Sequence, residues 1–182
     1  MIDVELRHYR ELTEEARTAL IDVYADVRAP LLHLPNYALD TFTDRLDRHG
    51  SEPGFEAVIG YDHGEPVGYA YGNTIQDGDR WWTRMNRPMA AEVTSLPTLA
   101  LKEIGVRAPW RGTGVARRIH EELLSDRTEP QVTLMVNPAA GNGKVVSLYE
   151  TWGYKAVNEV QPSPEAPPLV AMVRPRLESP QP

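Results

Sequence analysis

The chain contains no cysteine among its 182 residues. Disulfide bonds, thiolate metal sites and a covalent intermediate on cysteine are therefore excluded within this chain. Apolar runs are short, and none approaches the ~20 residues that a membrane-spanning helix requires. The first residues, Met1–Glu5, lack the basic and apolar character of a secretory leader. We therefore expect a cytoplasmic protein with no membrane partner.

Basic residues are in the minority, since 19 lysines and arginines stand against 26 aspartates and glutamates, for a formal net charge of −7. This balance argues against a broad nucleic-acid surface and favours a cationic or amine-bearing ligand. The length and the 41% hydrophobic content suffice for a substantial core. Because no break in composition divides the chain, we predict one domain over residues 1–176 and a mobile tail over 177–182.

Hydrophobic periodicity divides the chain into helices and strands. Thr13 is predicted to cap a helix that continues to about Val27, and Gly50 to close a second helix from Tyr37 to about Arg48. Further helices are predicted after Gly114 and from Asn142, and a turn at 62–66. Strands are predicted over 2–9, 55–61, 67–75, 99–106, 131–136, 155–160 and 169–174. The resulting order is βααββ-βαβαββ.

The junction between Val106 and Leu124 carries the clearest functional signal. Pro109 ends the strand, two glycines follow, and apolar residues then recur with the 3.6-residue period of a half-buried helix. The first amides of a helix have no internal partner and lie at the positive end of its dipole, and glycine permits close approach. The junction therefore predicts a site for phosphate oxygens.

Three other motifs nearly match this region, and each lacks a required residue. Gly112–Arg117 has arginine where the dinucleotide fingerprint needs its third glycine. Pro138–Val145 lacks both the first glycine and the final Ser or Thr of a Walker loop. His120–Leu124 has leucine where a zinc protease needs its second histidine. We therefore predict neither a dinucleotide site, nor a nucleotide triphosphatase, nor a metal site.

The glycine junction does resemble a loop of a known family. Arg111-Gly112-Thr113-Gly114-Val115-Ala116 is similar to the acetyl-CoA loop R/Q-x-x-G-x-G/A of the GNAT N-acetyltransferases. A second segment is similar to the strand-Asn-helix-Tyr-x-x-x-Gly-Tyr/Phe part of that family, because Tyr149 follows Asn142 by seven residues and precedes Gly153-Tyr154. Val145 departs from the family pattern, where alanine is more usual. The predicted element order resembles the family fold over nearly the whole chain.

The resemblance implies an α/β (α+β) GNAT fold, with one mixed, mostly antiparallel sheet of about seven strands and about four flanking helices. It also implies acetyl-CoA as cosubstrate, with no metal. The residues implied in binding acetyl-CoA are the backbone of Ile104 and Val106, the loop residues Arg111, Gly112, Thr113, Gly114, Val115 and Ala116, and Asn142.

Roles in catalysis are also implied by the resemblance. Tyr149 is the predicted general acid for the departing thiolate, and Glu103 is the candidate general base for the amine. Trp81 and Trp82 are candidates for lining the acceptor pocket. Each has a simpler interpretation: Tyr149 as a core residue, Glu103 as a paired or solvated charge, and the tryptophans as packing for their loop. Asn142 is also expected to be a helix N-cap.

The function implied is direct transfer of an acetyl group from acetyl-CoA to a primary amine of a small molecule, such as a metabolite or an antibiotic-like compound. Two alternatives stay open: a catalytically idle acyl-CoA-binding or regulatory module, and an acetyltransferase for protein N-termini or lysines. A homodimer is a further expectation from the family.

Overall fold

Seven strands and five α-helices make up residues 3–176, the part of the chain that the computed structural model describes. The strands are β1 (Glu5–Tyr9), β2 (Glu56–Asp62), β3 (Glu65–Thr74), β4 (Thr98–Val106), β5 (Gln131–Val136), β6 (Lys155–Val160) and β7 (Leu169–Pro175). The helices are α1 (Glu14–Val27), α2 (Leu39–Gly50), α3 (Ala91–Thr94), α4 (Val115–Ser125) and α5 (Lys144–Thr151). The strands form one mixed sheet in the order β1-β2-β3-β4-β5-β7-β6. The predicted fold and element order are confirmed, with α3 as an addition.

The chain folds into two compact units, each assembled from two stretches of sequence. Residues up to Asn73 join Lys102–Arg127 in the first unit, and Thr74–Leu101 join the residues from Thr128 onward in the second. The single domain over 1–176 stays a prediction, and the tail predicted over 177–182 lies outside the described residues. No α-helix within residues 3–176 combines the length and the apolar composition of a membrane span.

In the first unit, β1, β2 and β3 pair in antiparallel register. His63 and Gly64 form the turn between β2 and β3, with φ of +48° and +84°. Positive φ at both positions matches the right-handed twist of a two-residue hairpin, so the turn is tighter than the one predicted at 62–66. The buried core of this unit is built by α1, α2 and these strands, with Leu20, Val23, Tyr24, Phe42, Leu46, Ile59, Tyr69 and Tyr71 among its members.

The two helices of this core begin and end for different reasons. Thr13 caps α1 as predicted, since its hydroxyl accepts a hydrogen bond of 3.2 Å from the amide of Ala16. Helix α2 starts two residues later than predicted, at Leu39, and Gly50 is its last residue rather than a left-handed residue after it. A Cβ on Gly50 would lie 2.6 Å from Cδ2 of Leu12. Close packing, and not the predicted helix closure, therefore requires this glycine.

In the second unit, β4 and β5 are parallel over three residue pairs, Thr98–Ala100 with Gln131–Thr133. Strand β7 pairs in antiparallel register with β5 on one side and β6 on the other. A core cluster of Trp81, Met85, Ala100, Val160 and Ala171 lies within this unit. The sequence did not predict α3, because four residues are too few for a helical period to be visible.

Candidate functional site

Two glycines with left-handed backbone make the turn between β4 and α4. Gly112 has φ of +74° and Gly114 has φ of +86°. Apart from each glycine and its immediate chain neighbours, no atom of residues 3–176 lies within 4 Å of the place that a Cβ would occupy on either glycine. Because L residues are strained at such φ values, the conformation itself favours glycine here. The turn therefore presents an open backbone surface that phosphate oxygens can approach.

Helix α4 begins at this turn without a side-chain cap. Gly114 occupies the N-cap position, and the first turn contains no acidic side chain. The leading amides thus remain available to an anion at the positive end of the helix dipole. Val115 has a buried side chain, so it would offer a ligand its backbone amide.

The residues before α4 hold the turn in place. Arg111 Nε donates a hydrogen bond of 3.0 Å to the carbonyl oxygen of Val106 at the end of β4. The hydroxyl of Thr113 donates to the carbonyl oxygen of Trp110. The structure therefore brings the predicted loop residues Arg111–Ala116 together in one short segment, tied to the end of β4.

Glu103 on β4 lies among arginines. Arg45 Nη2 donates to its Oε1 at 3.2 Å, and Arg28 Nη2 lies 4.0 Å from its Oε2. The Glu103 side chain is 14% exposed. The simpler interpretation, a paired charge, therefore describes its surroundings, and its role as general base stays a prediction. Ile104, the next residue, is partly buried.

In the second unit, Asn142 lies in a 3₁₀ turn, Ala140–Gly143, directly before α5. Its φ of +57° is left-handed, and Gly143, with φ of +85°, takes the N-cap position of α5. The prediction that Asn142 caps the helix is therefore wrong. Because Asn142 and Gly143 are both left-handed, helical geometry begins one residue later than an Asn142 cap would require. The side chain of Asn142 is exposed.

Tyr149 lies on α5 and is 8% exposed. Its ring meets the rings of Trp152 and Tyr154 edge-on, with centroids 5.5 and 5.9 Å away. Such edge-to-face contacts stabilise an aromatic group beyond the burial of its area. Tyr149 thus has a packing role, and its role as general acid stays a prediction.

The adjacent tryptophans pack into the second unit. Trp81 is 5% exposed and belongs to the core cluster, while Trp82 is partly buried against it. Arg84 places its guanidinium carbon 5.3 Å from the centroid of the Trp81 ring. This placement accounts for Trp81 as a packing residue, and contact of either tryptophan with an acceptor stays a prediction.

Sequence reasoning missed a group of polar side chains in the first unit, which we call the arginine–tyrosine cluster. Its members come from four elements or their ends: Tyr24, Arg28, Arg45, Tyr69, Tyr71 and Glu103. No motif could have found them, because only folding brings these elements together. One signal was available, the alternation that places Tyr69 and Tyr71 on the same face of β3.

A second polar network in the first unit surrounds His8. Its Nδ1 lies 3.2 Å from Oε1 of Glu56, and its Nε2 lies 2.8 Å from Oε1 of Glu122. Burial lowers the pKa of His8, but the hydrogen bonds to Glu122 and Glu56 outweigh it and raise the pKa overall. Donor atoms of His8, Glu56 and Asp126 lie within 4.8 Å of one another. Arg127 lies 3.6 Å from Glu56, so a cation there would meet a guanidinium already in place.

These features agree with a family match over most of the chain. The model of the Acetyltransferase (GNAT) family matches residues 10–154, and the chain belongs to that family. It is therefore an acyltransferase, as the loop and the Asn–Tyr spacing predicted. No curated protein sequence matches the chain significantly.

Solved structures share the fold at low sequence identity. A GNAT-family acetyltransferase from Streptococcus agalactiae has a TM-score of 0.68 and 13% identity, covering 98% of this chain and 100% of its own. A structure from Corynebacterium glutamicum, named as histone acetyltransferase HPA2 and related acetyltransferase, has a TM-score of 0.67 and 15% identity, and the match covers 98% of this chain and 99% of that one. The PaiA N-acetyltransferase from Thermoplasma acidophilum, in complex with coenzyme A, has a TM-score of 0.58 and 12% identity, covering 96% and 99%. Each is similar to this chain in fold.

Proposed function

We propose that this protein transfers an acetyl group directly from acetyl-CoA to a primary amine of a small molecule. The observation that carries the proposal is the open turn of Gly112 and Gly114 at the uncapped start of α4. In a family of acetyltransferases, this turn supplies what a pyrophosphate requires: free backbone amides, a dipole of the right sign and no side chain in the way.

The residues present fit acetyl-CoA in two places. In the first unit, the amides from Gly112 to Ala116 are proposed to bind the pyrophosphate, and a terminal nitrogen of Arg111 to pair with it while Nε stays on Val106. In the second unit, the exposed side chain of Asn142 is proposed to bind the pantetheine arm. Each assignment concerns one unit and is tested by substitution within that unit.

In the reaction the amine loses a proton, the thiolate gains a proton, and a negative charge develops on the carbonyl oxygen. The amine nitrogen forms a bond to the thioester carbonyl carbon, and the carbon–sulfur bond breaks. We assign the proton that the amine loses to Glu103, and the proton that the thiolate gains to Tyr149. A backbone amide of β4 between Ile104 and Val106 is proposed to stabilise the oxyanion. The transfer is proposed to be direct, because this chain offers no cysteine on which an acyl intermediate could form.

Calorimetry with CoA and acetyl-CoA tests the cofactor, and mass spectrometry of products from a panel of amines tests the transfer. We expect saturable binding of both and an acetylated amine. Folded protein that binds neither would contradict the proposal. Binding without transfer to small amines, followed by acetylation of peptides, would instead identify a protein acetyltransferase. Binding with no transfer to either would favour the idle module.

A further inference from the structure

The arginine–tyrosine cluster contains more positive than negative charge. Arg28 and Arg45 each carry a permanent positive charge, and Glu103 is the carboxylate that acts most strongly on both. Burial is the largest single influence and alone would lower the pKa of either guanidinium, but Glu103 and the neighbouring tyrosines together outweigh it, and the pKa of both is raised. One unit of positive charge is left over. This local excess contrasts with the net charge of −7 for the whole chain.

Two polar groups of the cluster have hydrogen-bonding capacity that is not used. Among residues 3–176, neither Arg28 Nε nor the hydroxyl of Tyr69 has a hydrogen-bond partner, although both atoms are buried. Tyr69 as a residue is fully buried, and burial raises the pKa of its hydroxyl well above the usual value, so the hydroxyl remains a donor at neutral pH. Buried polar groups without partners are rare in folded proteins because each costs desolvation free energy.

The unused groups lie beside the strand that carries the proposed reaction. A Cβ on Gly105 of β4 would lie 3.4 Å from Cε1 and 3.5 Å from Cζ of Tyr69, which places the phenol ring against this strand. Arg28 follows the last residue of α1, and its side chain is 32% exposed. Its guanidinium carbon lies 5.9 Å from the centroid of the Tyr37 ring. A solvent-borne ligand can therefore reach Arg28 next to β4.

We propose that Arg28 and Tyr69 form a binding site for a carboxylate, so that the acceptor is an amine that also carries an acidic group. The inference rests on the proposed function. A guanidinium binds a carboxylate through two parallel hydrogen bonds, and the 4.0 Å contact of Arg28 with Glu103 is long enough to be exchanged for it. The site requires the Arg28 side chain to move onto the ligand and thereby uncover the hydroxyl of Tyr69, its electrostatic neighbour, as a second donor. Arg45, at 3.2 Å, stays on Glu103.

Matched acceptors test the site. Glycine, β-alanine and γ-aminobutyrate are compared with their primary amides, which keep the shape and lose the charge. Acetylation is followed as CoA release, and binding to the full chain is measured by calorimetry with and without CoA. We expect the best acid to exceed its amide by about tenfold or more in kcat/KM and in affinity. The amino group of each primary amide is less basic than that of its acid, so a larger fraction of it is unprotonated near neutral pH. Intrinsic reactivity therefore favours the amides and opposes the expected preference for the acids.

Two variants locate the preference within the cluster. Arg28→Gln should reduce the acid-to-amide ratio to about twofold or less while CoA affinity is unchanged. Arg48→Gln is the matched control, because it removes the same charge from an exposed position on α2 and should keep the ratio. Tyr69→Phe should weaken acid binding and at the same time raise the melting temperature, since it removes a buried hydroxyl without a partner. If Tyr69 had a merely structural role, Tyr69→Phe would instead lower the melting temperature.

The possible failures are distinguishable. Equal binding of acids and amides, or a preference that survives both Arg28→Gln and Tyr69→Phe, would overturn the carboxylate site even if acetyl transfer is found. Acid binding that depends on Arg28 would support the site even if the panel contains no substrate. If Arg28→Gln does not fold, Tyr69→Phe decides by the same two measurements. Absence of CoA binding would overturn the proposed function and leave the binding test of the cluster valid.

Discussion

Replacing Gly114 with alanine separates two contributions of one backbone position, to folding and to cofactor binding. The φ of Gly114 is +86°, and apart from its own residue and its chain neighbours no atom of the described chain lies within 4 Å of the new Cβ. The cost to folding is therefore conformational, about 1 kcal/mol for one left-handed residue with a side chain. For a chain of this length, that cost lowers the melting temperature by about 2–4 °C.

Cofactor affinity should fall further than this strain explains. The Cβ would occupy the open side of the turn, where the pyrophosphate is proposed to bind. Loss of one charge-assisted hydrogen bond costs about 1.5–3 kcal/mol, which corresponds to a roughly ten- to hundredfold higher Kd for CoA. Chemical denaturation measures the first effect and calorimetry the second.

Gly64 provides the matched control for this experiment. It has φ of +84° and equally open surroundings, but it lies in the β2–β3 turn. Gly64→Ala should cost the same free energy of unfolding and leave the Kd for CoA unchanged. The reasoning is refuted if Gly114→Ala binds CoA as tightly as the original chain, or if both variants lose affinity equally.

Four further predictions concern single positions. Gly50→Ala should destabilise the protein by about 1–3 kcal/mol, measured by denaturation, because its Cβ would lie 2.6 Å from Cδ2 and 2.8 Å from Cβ of Leu12. Leu12→Gly removes both atoms, so it should cost less stability in the Gly50→Ala background than in the original chain, and equal costs would contradict the packing argument. Because the pKa of His8 is raised in the folded protein, protonated His8 stabilises the fold, fully so below the unfolded pKa near 6.5. This stabilisation is lost as pH rises through the folded pKa. His8→Gln should therefore flatten that part of a plot of melting temperature against pH, whereas an unchanged slope would exclude His8 as the source of the pH dependence. Tyr149→Phe should lower single-turnover rates by roughly a hundredfold with CoA affinity intact, and an unchanged rate would remove it as the acid. Glu103→Gln should lower kcat by a similar factor without raising KM, whereas a raised KM alone would mean that Glu103 only positions Arg28 and Arg45.

The element order could be predicted because it depends on local periodicity. Strand β5 lies at the predicted strand-like run, β6 lies at the predicted strand near Lys155–Val160, and α1 begins at the Thr13 cap, since each signal lies within a few neighbouring residues. The turn at Gly112 and Gly114 was predictable for the same reason. Its family resemblance is contained in six consecutive residues.

The remainder of the site depends on contacts that no local pattern contains. Gly50 looks like a helix terminator in the sequence, and only the approach of Leu12 gives it a packing role. Asn142 looks like a cap, but the left-handed φ values around it depend on the whole turn. Glu103 looks like a lone strand carboxylate until α1 and α2 bring Arg28 and Arg45 to it.

Each of the two units is assembled from two separate stretches of the chain, and this has a consequence for synthesis on the ribosome. The first unit has all its segments once Arg127 has been made, whereas Thr74–Leu101 cannot pack until strands β5 to β7 follow. During that interval the tryptophan and methionine side chains that later join Ala100, Val160 and Ala171 have no core to enter. Transiently exposed apolar surface of this kind favours aggregation. The stretch with Trp81 and Met85 is therefore where we expect a nascent chain to need chaperone protection.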